Sequence, residues 1–419
     1  MKLTDTADNE TLQTILDSGL SIKLPSKAND DTVSSQIINS YKLISEQLSE
    51  DLADDPFKRL GKWTEFITHK LYFAVFVHPD PATAYQVFEV INTRGRDLTT
   101  ADLLKNYVIS QTAPGERGAA YERWKHVSSH FPSDGASSFV QYIRHVITVD
   151  SGHILPKDLF AFLAGKISSS RRAPTANQLL DLLENRLPLY MQIVDQSAAG
   201  PASSDHLRIF AALKRLNVIT VRPLIMAISE LQSSQEGLNF LLRLVVRRII
   251  VGNLGTGNVE RKLADAARKV ATIKDWEVLQ HDLEDLNPDR DSFISQLKKR
   301  SFNKGTLSFV RNSIISKTIS PDYYYPLHFI LPRTTTMWSG FNEDERAYWG
   351  STVGNTFLAK IEQRPDDAVS WDGFKQTMLS KAAPGEWVEK LEQANEWNAD
   401  VVKEFGDELA QAAGEIWYD

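Results

Sequence analysis

From Pro114 onward, nearly every long segment of this 419-residue chain repeats its apolar residues at three- and four-residue spacing, and that periodicity constrains the fold most. AAYERWKHVSSHF, ANQLLDLLENRLPLYMQIVD, SDHLRIFAALKRL and LNFLLRLVVRRIIVGN each read as a helix with an apolar face. Between them stand breakers: APGERG at Ala113–Gly118, AAGPASSD at Ala198–Asp205 and GNLGTGN at Gly252–Asn258. Helices this apolar are expected to bury one another in a single bundle. No repeat of fixed period interrupts the pattern.

Composition closes off other classes. Apolar residues at 42% and charged residues at 24% are those of a globular chain, which excludes wholesale disorder. The absence of cysteine removes disulfides, thiolate metal sites, iron–sulfur clusters and a cysteine nucleophile. The polar N-terminus, MKLTDTADNETLQ, has no apolar core segment, and no run approaches the ~18 apolar residues of a spanning helix. A soluble cytoplasmic chain without membrane contact is expected.

Charge is unevenly placed. The net charge is −7, yet Leu207–Val270 holds 11 basic against 4 acidic residues, a balance of +7, and Asn342–Asp419 holds 7 against 17, a balance of −10. A strand of nucleic acid would be drawn to the middle of the chain and repelled by its end. The alternative is that these cations solvate exposed helix faces.

At the N-terminal side, Val33, Ile37, Ile38, Tyr41, Ile44 and Leu48 mark a helix over residues 31–50. The apolar run Leu71–Val77 reads as a buried strand, stopped by HPDP; a helix with Ala84, Val87, Phe88 and Ile91 inward follows. Thr99 and Asp102 have capping-box spacing for the next helix. After about residue 320 the texture turns aromatic, proline- and threonine-rich, so a small mixed domain is expected there, ending in helices around Trp371–Ser380 and Asn398–Tyr418.

The most specific segment is FEVINTRGRDLTTADLLKNYVIS. Gly95 permits a tight loop after a left-handed cap at Asn92, Leu98 anchors it and Asp102 caps the helix. Arg94 and Lys105 either hold a phosphate near that helix N-terminus or pair with neighbouring carboxylates. Through Phe88, Glu89, Asn92, Arg94, Gly95, Leu98, Asp102, Leu103 and Lys105 the chain resembles the GmrSD-type restriction family, which joins a ParB-like N-terminal domain and a helical region to an HNH-type nuclease domain. FLLRLVVRRIIVGN is similar to that family's arginine-bearing helix, which makes Arg247 and Arg248 candidates for nucleic-acid contact. A place at the rim of an interhelical groove is the other reading.

The C-terminal LHFILPRTTTMW and VGNTFLAKIEQRPDDAVSWDGFKQTML resemble the family's nuclease domain, keeping Ile330, Leu331, Pro332, Gly354, Asn355, Phe357, Leu358, Phe374 and Lys375. Phe329 stands where the family has its histidine, His328 lies one place early, and no asparagine falls between Ala359 and Lys375. A shift of one residue turns a strand side chain to the opposite face, so His328 is expected to point away from a metal site. The Asp-Gly-Gln-Gln-Arg run associated with nucleotide use is also absent, as if the front half of the ParB-like domain were missing. His126 and His130, four apart, lack the HExxH pattern, and GNLGTGN lacks the Lys-Ser/Thr ending of a phosphate loop.

The resemblance implies a mainly α fold: a helical bundle at 113–319, a small α+β ParB-like remnant at 1–112 and a small α+β, degenerate HNH-like domain at 320–419. It implies a restriction or phage-defence component that binds DNA, including modified DNA, and that is catalytically impaired or dependent on a partner protein supplying the missing half-domain. The alternatives are an active endonuclease using His328, Asn355 and Lys375 with Mg²⁺ or Mn²⁺, and a non-catalytic interaction scaffold. Asn92, Arg94, Lys105, Arg247 and Arg248 are the expected phosphate contacts; no metal ligands are assigned, and the chain alone is not expected to use a nucleotide.

Overall fold

The computed structural model describes residues 6–18, 33–72, 99–132, 136–165, 173–252, 257–331, 341–365 and 370–419. Among these, helices dominate and one two-stranded hairpin is the whole of the sheet, so the mainly α class read from periodicity holds. The chain divides into two compact units, Met1–Val140 with Thr175–Leu180, and Gln141–Pro174 with Asp181–Asp419.

In the first unit α1 (Thr6–Ser18), α2 (Val33–Asp51), α3 (Pro56–His69), α4 (Thr100–Gln111) and α5 (Arg117–Ser128) follow one another, and α6 (Ala136–Ser151) begins there. The helix expected over 31–50 is α2, but of its predicted inner face Ile38 is buried and Ile44 exposed. The reason is local: α1 meets the start of α2, where Ser34 Oγ donates to Asp8 Oδ1 at 2.6 Å. The Thr99–Asp102 capping box is present in full at the head of α4. The strand expected at Leu71–Val77 and the following helix lie outside the described residues, apart from Leu71 and Tyr72, which follow α3.

The second unit continues with α7 (Leu159–Leu163), α8 (Ala176–Val194) from Asp181 onward, α9 (Ser204–Arg215), α10 (Arg222–Ser229), α11 (Ser234–Val251), α12 (Gly257–Ile273), α13 (Val278–Asp282), α14 (Arg290–Lys299) and α15 (Lys304–Ser316). Then come β1 (Leu327–Phe329), α16 (Glu343–Trp349), β2 (Thr356–Leu358), α17 (Trp371–Ser380), α18 (Val388–Gln393) and α19 (Ala399–Tyr418). Side-chain oxygens of Ser203, Asp289, Asn303, Asn342, Ser370 and Asn398 accept from first-turn N–H groups, which is why these helices start where they do.

Helix α11 buries Leu238, Leu241, Leu242, Val245, Val246 and Ile250, and α12 lays Leu263, Ala267 and Val270 against α10. Helix α19 buries Val402, Phe405, Leu409, Ala413 and Trp417 at three- and four-residue spacing, packing on α14 and α15. Strands β1 and β2 pair antiparallel with His328 opposite Phe357. Beneath them lies a fully buried ion pair: Arg311 from α15 donates to Glu386, and Arg311 Nε to Thr356 Oγ1 at 3.0 Å. Glu386 Oε2 in turn accepts the Leu358 N–H at 2.9 Å, so one carboxylate holds both α15 and β2.

Candidate functional site

A pocket of about 520 Å³ opens beside β1, lined by His328, Phe329, Asn303, Lys304, Ser351 and Arg364 among others. His328 is 3% exposed, and its Nε2–H donates to the Ile361 carbonyl at 3.0 Å. That bond fixes the tautomer and leaves Nδ1 as the acceptor, without a partner among the described residues. Burial pushes the imidazole below the usual histidine range, and nearby Lys304 and Arg364 add to this against the Ile361 bond and Glu362. His328 is therefore a neutral base at the pocket wall. Arg364 frames that wall, donating to the Phe329 and Ile330 carbonyls at 2.8 Å each, with its guanidinium 4.7 Å from the Phe374 ring centre.

Asn355 does not line this pocket. It is wholly buried, and its amide is saturated: Oδ1 accepts from Leu331 N at 2.9 Å and Trp397 Nε1 at 3.0 Å, while Nδ2 donates to Leu331 O at 3.1 Å and Gly350 O at 3.0 Å. Gly354 explains its half of the Gly-Asn pair. A methyl group there would sit 2.0 Å from the Val402 carbonyl, so only glycine lets this turn touch α19. Lys375 is likewise held elsewhere, its Nζ donating to the Ala394 carbonyl at 3.0 Å.

The arginines of α11 do not face outward together. Arg247 Nε donates to the Trp417 carbonyl at 2.8 Å and Nη1 to Asn287 Oδ1 at 3.1 Å, with the guanidinium 3.9 Å from the Tyr418 ring centre. It is a staple between α11 and the last turn of α19. Arg248 folds over the end of its own helix, where Gly252 N–H donates to its carbonyl at 2.8 Å, and its Nε is buried without a partner. Lys105 pairs with Asp102 at 3.3 Å, the carboxylate reading of its position. Asn92 and Arg94 lie outside the described residues.

His126 and His130 are exposed, and the His130 ring donates to the His126 carbonyl at 2.9 Å. Among the described residues no group of three His, Asp or Glu is placed to hold a metal ion, and the pocket lining offers His328, Glu362 and the Asn303 amide oxygen, the last already accepting from the Thr306 N–H at 2.9 Å. The described residues by themselves do not make up a divalent-metal site. No helix among the described residues is long and apolar enough to cross a membrane.

Sequence reasoning passed over Arg311, Glu386 and Arg364. For Arg311 there was a signal: a lone arginine inside the apolar run LSFVRNSII requires a carboxylate from elsewhere. Arg364 sits in a polar loop and gives none.

Taken together, these features define a mainly helical protein whose C-terminal hairpin carries one histidine-walled pocket. Residues 2–109 match the family model described as GmrSD restriction endonuclease, N-terminal domain. That range contains the whole Phe88–Lys105 motif, and it supports a GmrSD-type restriction endonuclease family for the chain. No curated protein matches the chain.

Proposed function

We propose that the chain is a DNA-binding component of a GmrSD-type restriction or phage-defence system in the cytoplasm, and that it does not cleave DNA through His328, Asn355 and Lys375. One observation carries this reading. The Asn355 amide has no hydrogen-bonding capacity left, so a catalytic role would require it to abandon four buried partners. Cleavage then depends on groups brought by a partner protein. The 2–109 match supports the restriction setting, and the positive balance of Leu207–Val270 supports attraction to DNA.

A second reading has its own support. His328 lines a pocket that also holds Lys304, and its Nδ1 has no partner among the described residues, an arrangement suited to taking a proton from a water beside a bound phosphate.

One gel separates the two. Purified protein is incubated with plain and with modified-base DNA, with and without Mg²⁺ or Mn²⁺, and both mobility and fragment length are scored. Retarded but intact DNA is the expected result. Cleavage that disappears in His328→Ala and persists in a fold-matched control would install the second reading instead. No retardation on any substrate would refute DNA binding.

A further inference from the structure

We infer that the outer face of α12 is where the phosphodiester backbone of duplex DNA docks, an assignment that rests on the DNA-binding reading above. Most of the cations that give Leu207–Val270 its excess are already engaged. Arg208 is paired with Asp205 and Asp322, and Arg215 lies 4.0 Å from the Tyr324 ring centre. Arg222 donates to the Tyr190 hydroxyl, Arg243 to the Ile416 carbonyl and Arg247 to the Trp417 carbonyl. Arg208 is spent on surface carboxylates, and the others on groups within the fold. What remains outward on a single element is the set on α12.

That set has a period. RKLADAARK places Arg261 and Lys262 seven residues before Arg268 and Lys269, two helical turns or about 10.5 Å along the axis. Because Val259, Leu263, Ala264, Ala266, Ala267 and Val270 face the core, both basic pairs fall on the solvent side. They line, with Thr272, an open groove of about 530 Å³ between α12 and α13.

The groove is ordered by its own carboxylates. Lys262 is tied to Asp285, and Lys269 to Asp282 at 2.6 Å, which holds the two ammonium groups along the groove edge. Asp265, the acidic group on the same face, accepts the His153 backbone N–H at 3.3 Å. Arg268 makes no ion pair among the described residues, and Arg261 donates only to Asn258 Oδ1 at 3.1 Å. Two guanidinium forks two turns apart, flanked by fixed ammonium groups, match a run of backbone phosphates and no particular base. Binding here is expected to be insensitive to sequence and steep in salt.

The test is fluorescence anisotropy of the full chain with a labelled DNA duplex across a salt series. Arg261→Gln with Arg268→Gln is expected to weaken binding by at least tenfold and to flatten the log K against log salt slope by about 2, one unit for each phosphate that no longer meets a guanidinium. Arg261→Lys with Arg268→Lys keeps the charge and is expected to restore most of the slope. Circular dichroism confirms that the exposed substitutions leave the helices intact. Wild-type binding with an unchanged slope in the double Gln variant would overturn the groove assignment and leave the DNA-binding reading standing. No DNA binding by the wild type, including the case where it binds duplex RNA instead, would overturn both.

Discussion

Replacing Asn355 with alanine separates a structural from a catalytic asparagine. The substitution strips partners from the Leu331 N–H, the Leu331 carbonyl, the Gly350 carbonyl and the Trp397 indole N–H, all grouped around a side chain with no exposed surface. Each buried polar group left without a partner costs about 1–3 kcal/mol, so the loss is about 4 kcal/mol even at the low end. For a unit of this size, 1 kcal/mol moves the midpoint by roughly 2–4 °C, which places the melting shift at roughly 8–16 °C. The assay is thermal unfolding followed by circular dichroism, repeated in urea to check that the slope m is unchanged. Asn355→Asp sharpens it. The carboxylate keeps the acceptor role but loses both donations and faces two carbonyls, so it is expected to melt at least as early as the alanine variant. A variant that melts within roughly 2 °C of the parent, the equivalent of less than about 1 kcal/mol, would refute the clasp and return Asn355 to the catalytic candidates.

Further perturbations test other parts of the fold. Arg311→Met alone or Glu386→Gln alone breaks a fully buried pair and is expected to cost about 3–5 kcal/mol, whereas the double change to apolar residues is expected to recover much of it, read in the same melts. His145 is buried against the Tyr190 hydroxyl at 3.3 Å, and burial, with Arg144 and Arg222 nearby, holds its imidazole well below 6.5. Its stabilising effect is complete above the unfolded value of 6.5 and is lost as pH falls below it, so His145→Gln is expected to flatten the drop in midpoint between neutral and mildly acid buffer; an unchanged drop would refute the assignment. Arg247→Ala removes the staple onto Trp417 and is expected to raise hydrogen exchange in the last turns of α19 before it alters the rest of the unit.

The helical architecture was legible because its signals are local. Three- and four-residue spacing marks α2, α11 and α19, and Ser, Asp and Asn caps mark many of the starts. The Thr99–Asp102 box and the helices at Trp371–Ser380 and Ala399–Tyr418 appear nearly to the residue. The site was less legible because its bonds are long-range. His328 is expected to point away from a metal site, and the pocket it walls, which holds neither Asn355 nor Lys375, arises only where β1 meets residues 302–304 and 350–351. Asn355 and Gly354 read as a nuclease motif, but a sequence cannot show that their partners are Trp397 and Val402. Arg247 reads from sequence as either a nucleic-acid contact or a cation at the rim of an interhelical groove, because its acceptor, a backbone carbonyl, leaves no mark in composition. The repeated RK pair of α12, by contrast, stands in plain view in the sequence.

The staple and the clasp also govern the order in which this unit can form. Arg247 finds its acceptor 170 residues later, Arg311 its carboxylate 75 residues later and Asn355 its indole 42 residues later. Contacts closed over such separations come late in folding, because the loop entropy is spent before the contact rewards it. On the ribosome, α14 and α15 therefore emerge with apolar faces that stay uncovered until α19, which packs on both, has been synthesised. During that interval the growing chain carries an apolar surface that its own last helix will later bury.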